Sequence, residues 1–208
     1  MRDRRLIFWD FDGVIKESVD VKTRAFVELF ASHGEALAAR IRRHHERNGG
    51  MSRYEKIPLY LQWAGYASTP ARIDDLCARF SQSVRGAVVA SDWVPGAYEY
   101  LEANWRRQCF VLITATPQEE MREILEALNI GPWFQEVYGS PTQKSAAVAS
   151  VLAQRRCMPG DALLIGDSWS DYHAAQQANV EFLLRRTPLN VDLQQRHAGR
   201  QCEDFRNG

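Results

Sequence analysis

Two carboxylates with one residue between them, Asp10 and Asp12, directly follow the apolar run Leu6–Trp9. Alternate residues of an extended chain share a face, so both acids can converge on one small volume as the chain leaves that run. Gly13 lets the backbone turn sharply there. Two carboxylates that close repel each other and need a cation, a shared proton or both. A carboxylate can attack phosphorus to give an aspartyl-phosphate. A second acid two residues on can protonate the leaving oxygen and later activate water. In that chemistry Asp10 is the nucleophile and Asp12 the proton donor and acceptor. A pair of solvated acids at a strand-to-turn junction fits the same residues about as well.

Three further places bear on the choice. Thr114, in Thr114-Ala115-Thr116-Pro117, follows the apolar run 110–113. Thr116, Pro117 and Glu119 suit a helix start with a capping box, which leaves Thr114 unexplained. A hydroxyl beside free backbone amides at a helix N-terminus suits an anion such as phosphate. Lys144 falls in the first turn of a predicted helix. A surface lysine is the ordinary reading, yet the helix dipole makes that turn a poor place for a cation, and neutralising phosphate charge accounts for it. Asp167, in Gly166-Asp167-Ser168-Trp169-Ser170-Asp171, ends the apolar run 162–165. It is well placed for a hard cation such as Mg²⁺. Ser168 with Asp171 also fits a capping box, so helix capping and metal support both stand open for Asp171.

The elements that must carry these groups are legible as two alternating textures. Short apolar runs at 6–9, 109–113, 162–166 and 180–184 predict strands, and helix-period segments at 96–106, 117–129, 142–155 and 169–178 predict helices. Strands alternating with helices imply an α/β fold with a parallel sheet and right-handed crossovers. Such sheets bind ligands at the carboxyl ends of their strands, where all four groups fall. Residues 17–90 break the rhythm: helical stretches at 21–33, 35–47, 53–64 and 71–90, punctuated by Gly34, Asn48-Gly49-Gly50 and 65–70, predict an inserted all-helical subdomain. Its hinges are expected at 17–18 and 91–96, leaving 1–16 and 91–208 as the core. The polar tail after Leu189 is expected to fray from about Arg196.

Bulk properties limit the rest. The 208 residues are 45% hydrophobic and 25% charged, with formal net charge +0. That suits one core, or one core with an insertion. No global field draws the chain to nucleic acid or membrane. Cys77, Cys109, Cys157 and Cys202 are scattered and form no CxxC pair, as expected of reduced thiols in a cytoplasmic protein. No run is long enough to span a bilayer, and four apolar residues before Asp10 are too few for an export signal.

In this order, and each at a strand end, the four groups resemble the motifs of the haloacid dehalogenase-like hydrolase superfamily. The resemblance is to its helical-cap branch, which includes phosphoglycolate phosphatase and β-phosphoglucomutase. Asp10, Asp12 and Gly13 match the first motif, Thr114 the second, Lys144 the third, and Gly166, Asp167, Ser168 and Asp171 the fourth. The resemblance implies a Rossmann-like core flanked by helices, with residues 17–90 as a cap, and phosphoryl transfer through Asp10. It implies Mg²⁺ held by Asp10, the Asp12 carbonyl and Asp167, with Asp171 in support. Thr114 and the backbone near Gly13 and Ala115 would hold the phosphoryl oxygens. Dehalogenases and phosphonate hydrolases of this kind lack an acid at the position of Asp12, so a phosphate ester is expected.

In the cap, Gly50-x-Ser52-Arg53 resembles a loop that contacts substrate in helical-cap relatives. Arg53 and Lys56, three apart on one helix start, are expected to face the cleft. Asn48 either reaches the substrate or shapes the glycine turn. His44 and His45 diverge as helical neighbours and are expected on the surface. Tyr60, Trp63 and Tyr66 are expected to pack the cap, and Trp9 and Trp169 the core. A cap implies a small phosphorylated metabolite, a sugar phosphate or a phosphoglycolate-like acid, and not a macromolecule. Phosphomutase action is the alternative, a catalytically silent binding module the third reading, and a monomer or homodimer the expected assembly.

Overall fold

A computed structural model describes Met1 and residues 3–206. β1 (Leu6–Trp9) lies at the centre of a six-stranded sheet because all four of its side chains are apolar and can be buried on both faces. Its partners are β2 (Cys109–Pro117) on one side and β4 (Ala162–Gly166) on the other. β3 (Glu136–Ser140) pairs with β2, while β5 (Glu181–Arg185) and β6 (Gln201–Cys202) extend the sheet beyond β4. All pairings are parallel, in the order β3-β2-β1-β4-β5-β6.

Alternation splits the core in two. Ile7, Trp9, Phe110, Leu112, Leu163 and Ile165 pack on one face, and Leu6, Phe8, Val111, Ile113, Leu164 and Leu184 on the other. The crossovers are α5 (Ala97–Asn104), α6 (Gln118–Ala127), α7 (Lys144–Arg155), α8 (Trp169–Gln177) and the short α9 (Val191–Arg196). The fold is thus α/β and Rossmann-like. Between β1 and α5 lie four α-helices, one short 3-10 turn (Ala31–His33) and no strand: α1 (Val19–Leu29), α2 (Glu35–Arg47), α3 (Arg53–Trp63) and α4 (Pro70–Ala90), an inserted helical cap. Its entering and leaving chains run side by side, Glu17 N–H donating to Asp92 O at 2.9 Å and Val94 N–H to Ile15 O at 3.0 Å. Tyr60 and Trp63 pack inside the cap, whereas Tyr66 is 46% exposed against His33. Among the described residues no helix is long and apolar enough to cross a membrane.

Three expectations need correcting. β2 runs to Pro117, past 113, because Pro117 pairs with Ser140 of β3. α6 accordingly starts at Gln118 with no side-chain cap, and Thr116 turns its hydroxyl elsewhere. β3 itself was not anticipated, since Glu136, Val137 and Tyr138 are only half-buried and make no apolar run. The described part of the tail, through Arg206, is not frayed: β6 adds to the sheet, and Phe205 is buried against Trp9 with ring centroids 5.3 Å apart. Gly96 permits this because its φ is +79° and a Cβ there would overlap the backbone of Phe205 and Arg206.

Candidate active site

The register of the central strands sets the geometry. Trp9 aligns with Leu112 on one side and Ile165 on the other. The next residues therefore emerge at one level, and Asp10 N–H donates to Ile165 O at 3.0 Å. One carboxylate oxygen each of Asp10, Asp167 and Asp171 lies within 4.8 Å of the others. Gly13 makes room for the cluster: its φ is +75°, and a Cβ there would overlap Asp167 Oδ2. Gly166 is confined in the same way by the Asp171 side chain.

Lys144 is the cation inside this group. Its Nζ lies 2.9 Å from Asp10 Oδ1 and donates to Asp171 Oδ1 at 2.7 Å, all three side chains being buried. Asp171 Oδ2 meanwhile accepts from the Ser168 backbone N–H at 3.2 Å and from Ser168 Oγ at 2.5 Å, completing the capping box that starts α8. Asp171 thus caps the helix and anchors Lys144. Burial opposes the Lys144 charge, but Asp10 and Asp171 hold it firmly protonated. One ammonium does not balance three carboxylates. Burial, then Asp171, push Asp10 from 3.8 up to about 7. Burial, then Asp10, push Asp167 well above the ordinary range.

Asp12 belongs to a different pair. Its carboxylate takes an ion pair and hydrogen bond from Lys22 and accepts from Ser18 Oγ at 2.6 Å and Thr116 Oγ1 at 3.3 Å. Lys22 Nζ also donates to Thr116 Oγ1 at 2.7 Å. Burial alone would raise Asp12, yet the Lys22 charge and these hydrogen bonds hold it below the usual range. Two neighbouring acids are thereby driven apart, Asp10 up and Asp12 down. Thr114 is buried, and its Oγ1 accepts the Thr116 N–H at 3.1 Å.

Asp10, Asp12, Lys22, Thr116, Lys144 and Asp167 floor a cavity of ≈ 270 Å³ that the cap covers, a volume for a small molecule. Arg53 and Lys56 both line it. The guanidinium of Arg53, however, is bound bidentately by Glu120 of α6 at 2.7 and 2.6 Å and also donates to Ser81. Its charge is therefore neutralised across the cap–core junction. Lys56 Nζ meets His45 Nδ1 at 2.9 Å. His45 is not on the surface: it is buried and lines the cavity, because α2 turns that edge toward α1 and Phe26. His44 stays at the cap edge, 3.0 Å from Tyr60 Oη. Trp169, half-buried against the second core cluster, also lines the cavity. Asn48 and Thr114 do not line it; with Ala115 and Lys144 they border a neighbouring groove, and Asn48 Nδ2 donates to His44 O at 2.8 Å at the end of α2. The glycine turn sits on the fourth motif, since a Cβ on Gly50 would overlap Ser170 and crowd Ser168 Oγ.

Lys22 and Glu120 are residues that local spacing did not single out, while it gave Thr116 a capping role and His45 a surface one. Lys22 and Glu120 meet partners on distant elements, so no spacing signal exists for them. The acids themselves suit a divalent cation: Asp10 and Asp167 are hard oxygen donors held together with too little positive charge nearby. Asp171 has both oxygens engaged by Lys144 and Ser168, so it contributes charge and positioning more than a free ligand atom.

Comparison with known proteins agrees with this architecture. The profile of the family described as haloacid dehalogenase-like hydrolase matches residues 7–184. Phosphoglycolate phosphatase 1 of Pseudomonas aeruginosa is 28% identical over 188 residues, covering 85% of this chain and 67% of that protein. Among solved structures, a mutant of CbbY from Rhodobacter sphaeroides in complex with xylulose-(1,5)bisphosphate superposes with a TM-score of 0.77 at 18% identity, covering 98% and 96% of the two chains. CbbY in complex with phosphate gives 0.76, also at 18% identity and the same coverage. At that identity the structural likeness speaks for the fold, and the family match spans most of the sequence. The chain belongs to the haloacid dehalogenase-like hydrolase family.

Proposed function

We propose that this protein is a Mg²⁺-dependent phosphatase that hydrolyses a small phosphorylated metabolite through an aspartyl-phosphate on Asp10. The substrate would be a sugar phosphate or a phosphoglycolate-like acid. The observation that carries the reading is the placement of Asp10: a buried carboxylate beside Lys144 and Asp167, at the floor of a small covered cavity. The phosphatase name of the Pseudomonas relative and the ligands of CbbY support the substrate class. Residues 17–90 would serve as the cap and residues 1–16 and 91–208 as the catalytic core.

Asp10, Asp167 and the Asp12 carbonyl would hold the ion, with Asp171 supporting through Lys144. Bound there, Mg²⁺ would keep Asp10 ionised and offset the negative charge of the phosphoryl oxygens. Lys144 supplies a second, fixed positive charge at the same point, backbone amides near Gly13 and Ala115 would orient the oxygens, and Thr114, which borders the adjoining groove beside Lys144, would complete the cradle from that side. Asp10 then attacks phosphorus while the leaving oxygen takes a proton from Asp12. In the free site Asp12 is ionised by Lys22. An entering anion competes for the Lys22 ammonium and adds negative potential, which shifts Asp12 toward the protonated acid. Once the leaving group has gone, Asp12 has lost its proton and acts as the base for water. The cap excludes bulk water and larger substrates.

The test is phosphate release from a panel of phosphorylated metabolites with and without Mg²⁺. Release from one or more small members that requires the ion is expected. No release from any member, nor from a generic aryl phosphate, overturns the reading.

A further inference from the structure

We propose that Lys56, His45 and Lys22 form a subsite for a second anionic group on the substrate, so that the preferred metabolite carries a carboxylate or second phosphate besides the phosphoryl group transferred. This rests on the phosphatase reading and deepens it.

Lys56 is 1% exposed. Among the described residues its side-chain hydrogen-bond partner is His45 Nδ1, a neutral base, and no carboxylate pairs with it. The nearby acids are engaged elsewhere: Asp12 with Lys22 and Ser18, Glu120 with Arg53, Glu55 with Ser52 at the start of α3. His45 is 3% exposed, and its Nε2 has no hydrogen-bond partner of normal geometry. Both residues line the catalytic cavity. Phe26 closes the corner behind them, its ring 5.6 Å from Lys56 Nζ and 4.9 Å from the His45 ring.

A buried ammonium without a counter-ion is expensive, and the fold tolerates it here on a wall facing the reacting groups. Burial and the Lys22 charge weaken its hold on the proton, to a value of about 7. Burial and the Lys56 charge keep His45 neutral, although the Val19 carbonyl favours its protonated form. An anionic oxygen group placed between Lys56 and Lys22 supplies the missing charge. It would accept from both ammonium groups, and the Nε2–H of neutral His45 would add a third donor. Arg53, the more obvious cation by sequence, does not compete for this role, since Glu120 already matches it fork to fork.

The test compares phosphoglycolate, a bisphosphate of similar length and ethyl phosphate. Binding is measured calorimetrically to Asp10→Asn, and turnover with the wild type. One or both of the compounds with two anionic groups should bind Asp10→Asn about tenfold to a hundredfold more tightly than ethyl phosphate, which has one, the range of a charge-assisted hydrogen bond. Lys56→Met in that background should bring the ratio to near one, and Lys56→Arg should keep part of it. His45→Gln, a milder change, should reduce the ratio by a smaller factor and serves if Lys56→Met does not fold. Equal affinity for all three compounds, or equal losses for all three in the variants, overturns the subsite. A binding preference that persists while the wild type releases no phosphate would sink the phosphatase reading and leave the subsite standing.

Discussion

Arg53→Met removes one half of the ion pair that joins cap to core, and its effect separates a strut from a substrate contact. The pair is bidentate at 2.7 and 2.6 Å, with side chains only 3% and 7% exposed. Removing one partner of such a pair leaves an uncompensated buried charge, at a cost of about 3–5 kcal/mol. For a chain of this size that lowers Tm by about 6–20 °C, at about 2–4 °C per kcal/mol. Arg53 now holds the Glu120 carboxyl, which burial alone would raise, below its ordinary value. Without Arg53, Glu120 titrates higher, so the loss is largest at pH 7–8 and shrinks toward pH 5 as the carboxyl takes up a proton. The double variant R53M/E120M should recover to within about 1 kcal/mol of wild type, because apolar replacement of both partners is often near neutral. Guanidinium unfolding of the two single variants, the double variant and the wild type closes the cycle. A Tm within a degree or two of wild type for R53M, together with a large rise in KM, would show that Arg53 serves the substrate and refute its role as a strut.

Other outcomes follow from the same geometry. Asp12→Asn should lower kcat by about 10²–10⁴, the usual share of acid–base catalysis, in steady-state assays; activity within a few-fold of wild type places the proton transfer elsewhere. Gly13→Ala combines a φ of +75° with overlap of Asp167 Oδ2, so it should cost about 1–2 kcal/mol in stability from the backbone alone and abolish any thermal shift given by Mg²⁺. An unchanged Mg²⁺ shift in Gly13→Ala would mean that Asp167 does not bind the ion. Asp10 is raised from 3.8 to about 7, so its protonated form is favoured in the fold, and the metal-free protein should lose stability as pH rises between those values. Mg²⁺ requires the ionised acids and should therefore raise Tm more at pH 8 than at pH 5; an equal shift at both would place the ion away from Asp10 and Asp167.

How much of this was legible in the sequence depends on whether the relevant partner is near along the chain. The apolar runs of β1, β2, β4 and β5 announce buried parallel strands, and the residues that end β1 and β4 announce the acids. The Ser168–Asp171 capping box was readable because its members lie three residues apart. β3 was not, since an edge strand reading Glu-Val-Tyr-Gly-Ser carries no apolar signal. Thr116 looked like a helix cap from local pattern, but Lys22 and Asp12 offer its hydroxyl charged partners and β2 continues through it. Arg53 looked like a free cation for the same reason: Glu120 is 67 residues away. His45 was misplaced because adjacent helical residues do diverge, and only the packing of α2 on α1 decides which of the two histidines turns inward. Phe205 closes the core over Trp9 from a tail whose composition is polar, a contact that no periodicity records.

Rapid acid quenching of the enzyme during turnover, followed by peptide mapping, asks where the phosphoryl group goes. It should appear on the peptide containing Asp10, be released by hydroxylamine as an acyl phosphate is, and be absent in Asp10→Asn. A phosphoryl group on any other residue would contradict Asp10 as the acceptor, as would turnover of an aryl phosphate, whose leaving group needs no proton from Asp12, with no trapped phosphoprotein even when Asp12→Asn slows the second step.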